Sequence, residues 1–370
     1  MKYSDDKRIV MTLDAGGTTF VFSAVQGNEE IVAPITLPSQ PRDLELCLGA
    51  IVEGFEKVKS ALNAAPSAIS FAFPGPADYP NGIIGDLPNL PAFRGGVALG
   101  PMLREKFGIP VFINNDGDLF VYGEAIAGLL PYVNTQLEKA GSQKRFKNLF
   151  GITLGTGCGA GIVVNGELFI GDNSNGGEIW LTRNKLNGKI NVEDGASIRA
   201  VQRVYAEECG VKDDALTPKD IYEIAIGKKE GYRKAAVEAF RRMSEVVGDA
   251  ISNAITLIDA LVVIGGGVAG ANSLFMPFII DEMNGSYIRT DGSQFRRLVQ
   301  KVYNLEDEKD LKEFLKSDSK EINIPGTSKK IIFEADKKTG VGMSKLGTSK
   351  AVSIGAYAFA LNSLDNKNNN

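Results

Sequence analysis

The chain reads as an α/β protein of two domains, each a mixed sheet flanked by helices. Three observations predict this. A strand, a glycine turn and a second strand occur twice, as LDAGGTT leading to FVFSAV (13–25) and as LGTGCGAG leading to AGIVV (154–164). Superposing Leu13 on Leu154 aligns Gly16 with Gly157, and such a repeat implies two related halves facing one another. Helix and strand patterns then alternate, as in α/β domains. Finally, 370 residues exceed the size at which a single core usually keeps growing.

Residues 8–37 are predicted as a three-stranded meander, RIVMTLD, TFVFSAVQ and EEIVAPITL, with the second pair joined at Gly27-Asn28. A helix follows over 42–63, where Leu44, Leu48, Ile51, Phe55, Val58 and Leu62 recur at helical spacing and Pro66 closes the run. The strand AISFAFP enters a long loop, PGPADYPNGIIGDLPNLPAFRGG, whose length marks it as functional. A helix around 97–107 leads to the strand PVFINND, and a helical stretch runs from Leu119 to Leu129. The second half opens on NLFGITLGTGCGAGIVVNGELFIG, a hairpin pattern like the first. Helices are expected at 197–209, 217–226 and 230–257, then a buried strand ending in glycines, ALVVIGGG. Residues 285–340, with their Lys-Glu-Asp clusters, read as a surface insertion. A final apolar helix over 348–363 crosses back to the first domain, so the expected division is 1–117 plus 346–370 against 118–345.

Composition excludes several classes. A net charge of −4 with scattered Lys and Arg gives no general attraction to nucleic acid or anionic membrane. Cys47, Cys158 and Cys209 are far apart and without a CxxC, which fits a reducing cytoplasm and supplies no structural zinc site of the usual kind. The N-terminus enters a strand almost at once, so neither a secretory signal nor a helix-turn-helix domain is expected ahead of it. There is no histidine, so proton transfer at neutral pH must fall to a carboxylate, Lys, Tyr or water.

Both glycine turns suit a polyphosphate. Glycine admits φ > 0 and lets backbone N–H groups approach without a Cβ in the way, while Asp14 at the strand end can hold Mg²⁺ through water. An ordinary hairpin explains either turn alone equally well. Asp116 lies at the carboxyl end of a strand, where α/β sheets place ligands, and is the candidate general base; Asn115 before it suits a hydroxyl. Asp116 or Asp118 as a simple helix cap is the plain alternative. Glu178 and Glu193 follow the second turn in loops of small residues and suit a polyhydroxylated ligand. Trp180, the single Trp, fits either stacking on a sugar face or anchoring the core.

Taken in order, LDAGGTT, FPGPAD, PNLPAF, INNDGD, LGTGCGAG, GGE, the Glu193–Ser197 stretch, IGGG and SKLGTSKAVSIGAYAFAL resemble the ROK family of sugar kinases and sugar-responsive repressors, within the actin-like ATPase (ribonuclease H-like) superfamily. The resemblance covers nearly the whole chain. It implies a cleft between two domains, ATP with Mg²⁺, a small-molecule sugar, and a homodimer. Asp14, Gly16, Gly17 and Thr18 match its first phosphate turn, Gly155, Thr156 and Gly157 the second, and Gly265, Gly266 and Gly267 the turn beside the adenosine. Gly75, Asn89, Asn115 and Asp116 match its sugar site, with Asp116 as the base, and Glu178 and Glu193 its two sugar-binding acids.

One departure stands out. Where family members continue from GGE through Ile-Gly-His into a cysteine-rich zinc loop, this chain has Ile179-Trp180-Leu181 and then TRNKLNGKIN, so no zinc is expected, and packing around Trp180 and Leu181 would compensate. The sequence is therefore expected to encode an ATP-dependent kinase acting on a hydroxyl, most simply the 6-hydroxyl, of a hexose or N-acylated hexosamine, closing about hinges near residues 117 and 345. A non-catalytic sugar sensor on the same scaffold, without direct DNA binding, is the alternative.

Overall fold

In a computed structural model the described residues are 2–75, 77–85, 91–211, 216–317 and 319–368. The chain opens with β1 (Val10–Ala15), β2 (Thr19–Gln26), β3 (Glu29–Glu30) and β4 (Ile35–Pro38). Gly27 and Asn28 take φ of 59° and 68°, as the tight turn between β2 and β3 demands. The third predicted strand is broken: β3 pairs with Val25 and Gln26, β4 with Thr19 to Phe22, and Pro34 between them lacks the N–H that a continuous ladder needs. Then come α1 (Leu44–Ala61), β5 (Ala68–Ala72), the short pair β6 (Ala77–Asp78) and β7 (Ile83–Ile84), α2 (Leu99–Phe107), β8 (Val111–Asn114) and α3 (Asp116–Ile126).

The chain continues through α4 (Leu129–Lys139), β9 (Leu149–Leu154), β10 (Cys158–Val164), β11 (Glu167–Leu168), α5 (Ile198–Cys209), α6 (Pro218–Ala225), α7 (Arg233–Ile258), β12 (Leu261–Gly265) and α8 (Asn272–Met283). Last are β13 (Ser286–Ile288), β14 (Gln294–Arg296), β15 (Lys301–Asn304), α9 (Glu308–Leu315), β16 (Ser319–Asn323), β17 (Lys330–Glu334), β18 (Lys338–Met343) and α10 (Thr348–Asn368). Among the described residues no helix is long and apolar enough to cross a membrane.

The repeat seen in the sequence recurs as topology. One sheet runs β3-β2-β1-β5-β8, with β4 added beside β2, and the other runs β11-β10-β9-β12-β18-β15. In each, a glycine-turn hairpin is followed by parallel strands: β1 with β5 and β5 with β8, then β9 with β12 and β12 with β18. This places the carboxyl ends of β1, β5 and β8 together, where a parallel sheet presents its ligand-binding loops.

Two compact units result: Met1–Pro131 with Gly161–Gly177 and Ser344–Asn370, and Tyr132–Ala160 with Glu178–Met343. In the first unit, Phe22, Phe71 and Phe73 on or just past the sheet pack in one cluster with Phe55 and Val58 of α1, Leu103 and Phe107 of α2, and Phe93. The sheet's other face receives α10 through Val10, Ala68, Tyr357, Ala360 and Leu361. The unit runs on past residue 117 because α3 is buried on almost every side and crosses α10 at glycines. A Cβ on Gly123 would lie 1.9 Å from the Ala351 carbonyl oxygen, and one on Gly355 would lie 1.8 Å from that of Leu119.

The stretch 285–340 is less of an insertion than its charge suggests. The hairpins β13–β14 and β16–β17 are exposed, but β15 pairs in parallel with β18, which itself sits beside β12. Val302 and Val341 are fully or almost fully buried. These strands are short and flanked by lysines, so their apolar content is diluted in any sequence window. The helix α4 is a further difference: α3 ends at Ile126 with Ala127 as its cap, and a new helix starts at Leu129, whose N–H donates to Glu124 at 2.7 Å.

Candidate functional site

The first glycine turn is held by backbone groups. Gly16 N–H donates to the Thr19 carbonyl at 3.0 Å, and a Cβ on Gly16 would come within 2.8 Å of that same oxygen. Around Gly17 no atom lies within 4 Å of where a Cβ would stand, so that position faces open space. Neither residue has positive φ, nor do Gly155 and Gly157; what the turns use is the missing Cβ rather than left-handed backbone. Ser39 latches the turn from the end of β4. Its N–H donates to the Thr18 carbonyl at 3.0 Å and its hydroxyl to the Gly17 carbonyl at 2.8 Å, while Ser39 itself is fully buried. Nothing in LPSQP distinguishes this serine beforehand. Asp14 and Thr18 remain exposed beside it.

Asp116 is the first residue of α3. The cap is Asn115, whose Oδ1 accepts the Gly117 N–H at 2.7 Å, so neither Asp116 nor Asp118 plays that role. Asn115 is itself fixed by Asn114, whose buried Oδ1 accepts the Asn115 N–H at 2.8 Å. The Asp116 carboxylate also accepts the Gly117 N–H, at 2.9 Å, and keeps solvent access. Protein packed around it strips much of its hydration, and this, with the neighbouring charge of Asp14, pushes its pKa up against the pull of its backbone hydrogen bonds. The Phe73 N–H donates to the Asn114 carbonyl at 3.0 Å, which brings the loop through Gly75 beside Asn115 and Asp116. Gly75 is small because a Cβ there would meet the Tyr79 hydroxyl at 2.9 Å, and that hydroxyl donates to the Phe73 carbonyl. Asn89 lies outside the described residues.

At the other end of α3, Glu124 is fully buried and its carboxylate accepts four hydrogen bonds. They come from the Ser344 hydroxyl at 2.5 Å and from the N–H groups of Leu129 at 2.7 Å, Leu346 at 3.0 Å and Lys345 at 3.3 Å. One helix therefore carries Asp116 at its start and anchors the 344–346 segment at its end. Nothing in the sequence distinguishes Glu124, because glutamates on helix surfaces are so common.

In the second unit three segments converge on the other glycine turn. Gly155 N–H donates to the Gly157 carbonyl at 2.9 Å, and the Gly155 carbonyl accepts from Ile198, the first residue of α5, at 2.8 Å. Val268 N–H donates to the Leu154 carbonyl at 3.0 Å. Gly266 has φ 95° and lies so close to Leu154 that a Cβ would stand 2.4 Å from its carbonyl oxygen, which only glycine satisfies. Gly155, Thr156, Gly157, Gly265, Gly266 and Gly267 thus form one neighbourhood, with Thr156 and Gly267 exposed. Glu193 joins it: one carboxylate oxygen accepts the Cys158 N–H at 3.0 Å, and the other is 3.4 Å from Arg199. Burial, together with Glu193, pushes the Cys158 thiol up to about 12.

Glu178 precedes a short turn of helix over Ile179–Leu181, and the Trp180 indole N–H donates to its carboxylate. Trp180 is half-buried, so it is not a core anchor; it holds an acid. Leu181 is 60% exposed and does not compensate by packing. What orders the following segment is Asn184, buried, which donates to the Asn191 carbonyl at 3.2 Å and accepts from Leu186 at 2.9 Å and Asn187 at 3.3 Å. Val192 N–H closes the loop on the Thr182 carbonyl at 2.9 Å.

Two sheets of the same strand order, each a glycine-turn hairpin continued by parallel strands, define the actin-like ATPase fold. The sequence matches the ROK family over residues 10–301, and the chain belongs to that family. It is 54% identical to a glucokinase from Parabacteroides distasonis whose crystal structure superposes with a TM-score of 0.89, over 98% of this chain and 99% of that one. A glucokinase from Thermotoga maritima is 26% identical over 302 residues, 75% of this chain and 89% of the relative. An N-acetyl-D-glucosamine kinase from Vibrio cholerae is 27% identical over 280 residues, 71% and 85% of the two chains.

Proposed function

We propose that this protein transfers the γ-phosphate of ATP to a hydroxyl, most simply the 6-hydroxyl, of a hexose or N-acylated hexosamine, with Asp116 as general base. The chain is a sugar phosphotransferase, as its similarity to a glucokinase and an N-acetyl-D-glucosamine kinase indicates. The observation that carries the assignment of Asp116 is its solvent-accessible carboxylate at the first residue of α3, just past the carboxyl end of β8 and next to Asn115; its pKa is displaced upward, the direction that suits a base. In the transfer, the sugar oxygen forms a bond to the γ-phosphorus as the bond to the β-phosphate oxygen breaks. The hydroxyl proton passes to Asp116, and ADP leaves.

The other residues take supporting roles in this reading. In the first unit, Asp14 would hold Mg²⁺ through water beside Gly16, Gly17 and Thr18; an exposed carboxylate at a strand end is the hard oxygen donor that ion prefers. Bound Mg²⁺ supplies neutralisation of phosphate charge. In the second unit, Gly155, Thr156 and Gly157 would take phosphate oxygens and Gly265 to Gly267 the nucleoside side. Gly75, Asn89 and Asn115 would line the sugar beside Asp116. Glu178 would accept sugar hydroxyls, with the Trp180 indole N–H holding its carboxylate, and Glu193 would do so from beside the second turn. In this reading the 182–192 segment is ordered without zinc, a role that the hydrogen bonds of Asn184 support.

ADP release with ATP and Mg²⁺ across a panel of hexoses and N-acylated hexosamines tests the proposal. Turnover on at least one sugar is expected. Absence of turnover on every sugar, with sugar-dependent thermal stabilisation, would instead make the protein a sensor.

A further inference from the structure

The phosphotransferase fold gives no reason for the hairpin β16–β17. Its strands pair from Ser319 with Glu334 to Asn323 with Lys330, and among the described residues neither strand pairs with a third. Alternation sorts its side chains onto two faces. Lys320, Ile322, Ile331 and Phe333 share one; Glu321, Asn323, Lys330, Ile332 and Glu334 share the other. Ile331 is 55% exposed, Ile332 63% and Phe333 43%, an unusual load of apolar surface for a ribbon. A two-stranded ribbon is marginal in water by itself, and its free edge is a template for another strand.

The outer strand is complementary to itself. Residues 330–334 read Lys-Ile-Ile-Phe-Glu. Antiparallel pairing of two copies about Ile332 sets Lys330 opposite the partner's Glu334, Ile331 opposite the partner's Phe333, and Ile332 opposite the partner's Ile332. Every apolar residue then meets an apolar one and each charge meets its opposite, the cross-strand pairs that stabilise a sheet. Sliding by two residues sets Lys330 or Glu334 opposite Ile332, and the odd registers join the apolar face of one copy to the charged face of the other. Lys330 already pairs with Glu321 on the same face at 3.0 Å, so the second carboxylate extends an existing ion pair.

We propose that β17 is a homodimerisation edge, at which a second copy of this chain joins the two hairpins into a four-stranded antiparallel sheet with Ile332 on the two-fold axis. Such an interface is isologous, so both Lys330–Glu334 pairs form or neither does.

Sedimentation velocity on the full chain tests this with charge-reversal variants. The wild type is expected as a dimer, K330E alone and E334K alone as monomers at the same concentration, and an equimolar mixture of the two variants as a dimer again, since mixing restores opposite charges at both positions. Oxidised I332C is expected to run as a covalent dimer on a non-reducing gel, which distinguishes this edge from any other dimer surface. Unchanged sugar turnover by K330E serves as the control for folding. A monomeric wild type, single variants that stay dimeric, a mixture that stays monomeric, or I332C that fails to cross-link would each overturn the proposal.

Discussion

Replacing Asp116 by Asn changes one atom at the point on which the proposed chemistry turns. The amide keeps an oxygen for the Gly117 N–H, so the start of α3 is preserved, but it cannot take a proton at neutral pH. Loss of a general base costs about 10²–10⁴-fold in rate, which at about 1.36 kcal/mol per tenfold is roughly 3–5 kcal/mol of transition-state stabilisation. Stability should move the other way. Loss of hydration to the protein packed around it, then the charge of Asp14, raises the carboxyl pKa in the folded protein, so the folded state holds this proton more tightly than the unfolded chain does. That contribution favours folding below the unfolded value of about 3.9 and is lost as pH rises through the folded value, leaving ionised Asp116 as a cost at neutral pH. Asn carries no such charge. D116N should therefore lose turnover, bind sugar nearly as well as the wild type, and melt higher at neutral pH, with the gap closing toward about pH 4. ADP release, calorimetric sugar titration and melting curves at the two pH values measure these. Near-normal turnover, or a variant less stable than wild type at neutral pH, would refute the reasoning.

Three further outcomes are expected. W180F keeps a ring but loses the N–H on Glu178; a hydrogen bond to a charged group is worth about 1.5–3 kcal/mol, so the sugar KM should rise about tenfold or more with kcat affected less, read from initial rates. E124A leaves three backbone N–H groups without their acceptor; Leu129 is buried and Leu346 partly so, while Lys345 is exposed and can turn to water, so at about 1–3 kcal/mol for each of the first two urea unfolding should show a loss of roughly 2–6 kcal/mol. The Cys47 and Cys158 thiols, pushed up by burial to about 11 and about 12, should resist thiol reagents in the native protein and react only on unfolding, with Cys209, half-buried, labelled first. Rapid native labelling of Cys158 would mean the second glycine turn opens far more than its hydrogen bonds allow.

The parts of the fold written into local sequence were readable there. LDAGGTT and LGTGCGAG announced two hairpins of one kind, and the helical spacing from Leu44 to Leu62 announced α1, because each signal lies within a few turns of chain. What stayed hidden depends on contacts between distant residues. β18 is a core strand because it lies between β12 and β15, and β15 because β18 lies beside it, and a Lys-rich window conceals both. Glu124, Ser39 and Asn184 looked like ordinary surface residues; their roles come from backbone groups that the fold delivers to them. Trp180 and Leu181 could be flagged as departures from the family pattern, but only the geometry separated a side chain holding Glu178 from one left in solvent.

The central claim is that this chain makes a sugar phosphate from ATP, and ³¹P NMR of the reaction with its best sugar tests it most directly. The account predicts a phosphomonoester on the 6-carbon of a hexose or N-acylated hexosamine, formed in step with ADP and absent with D116N. Release of inorganic phosphate without a sugar ester, or a product that D116N forms equally well, would contradict it.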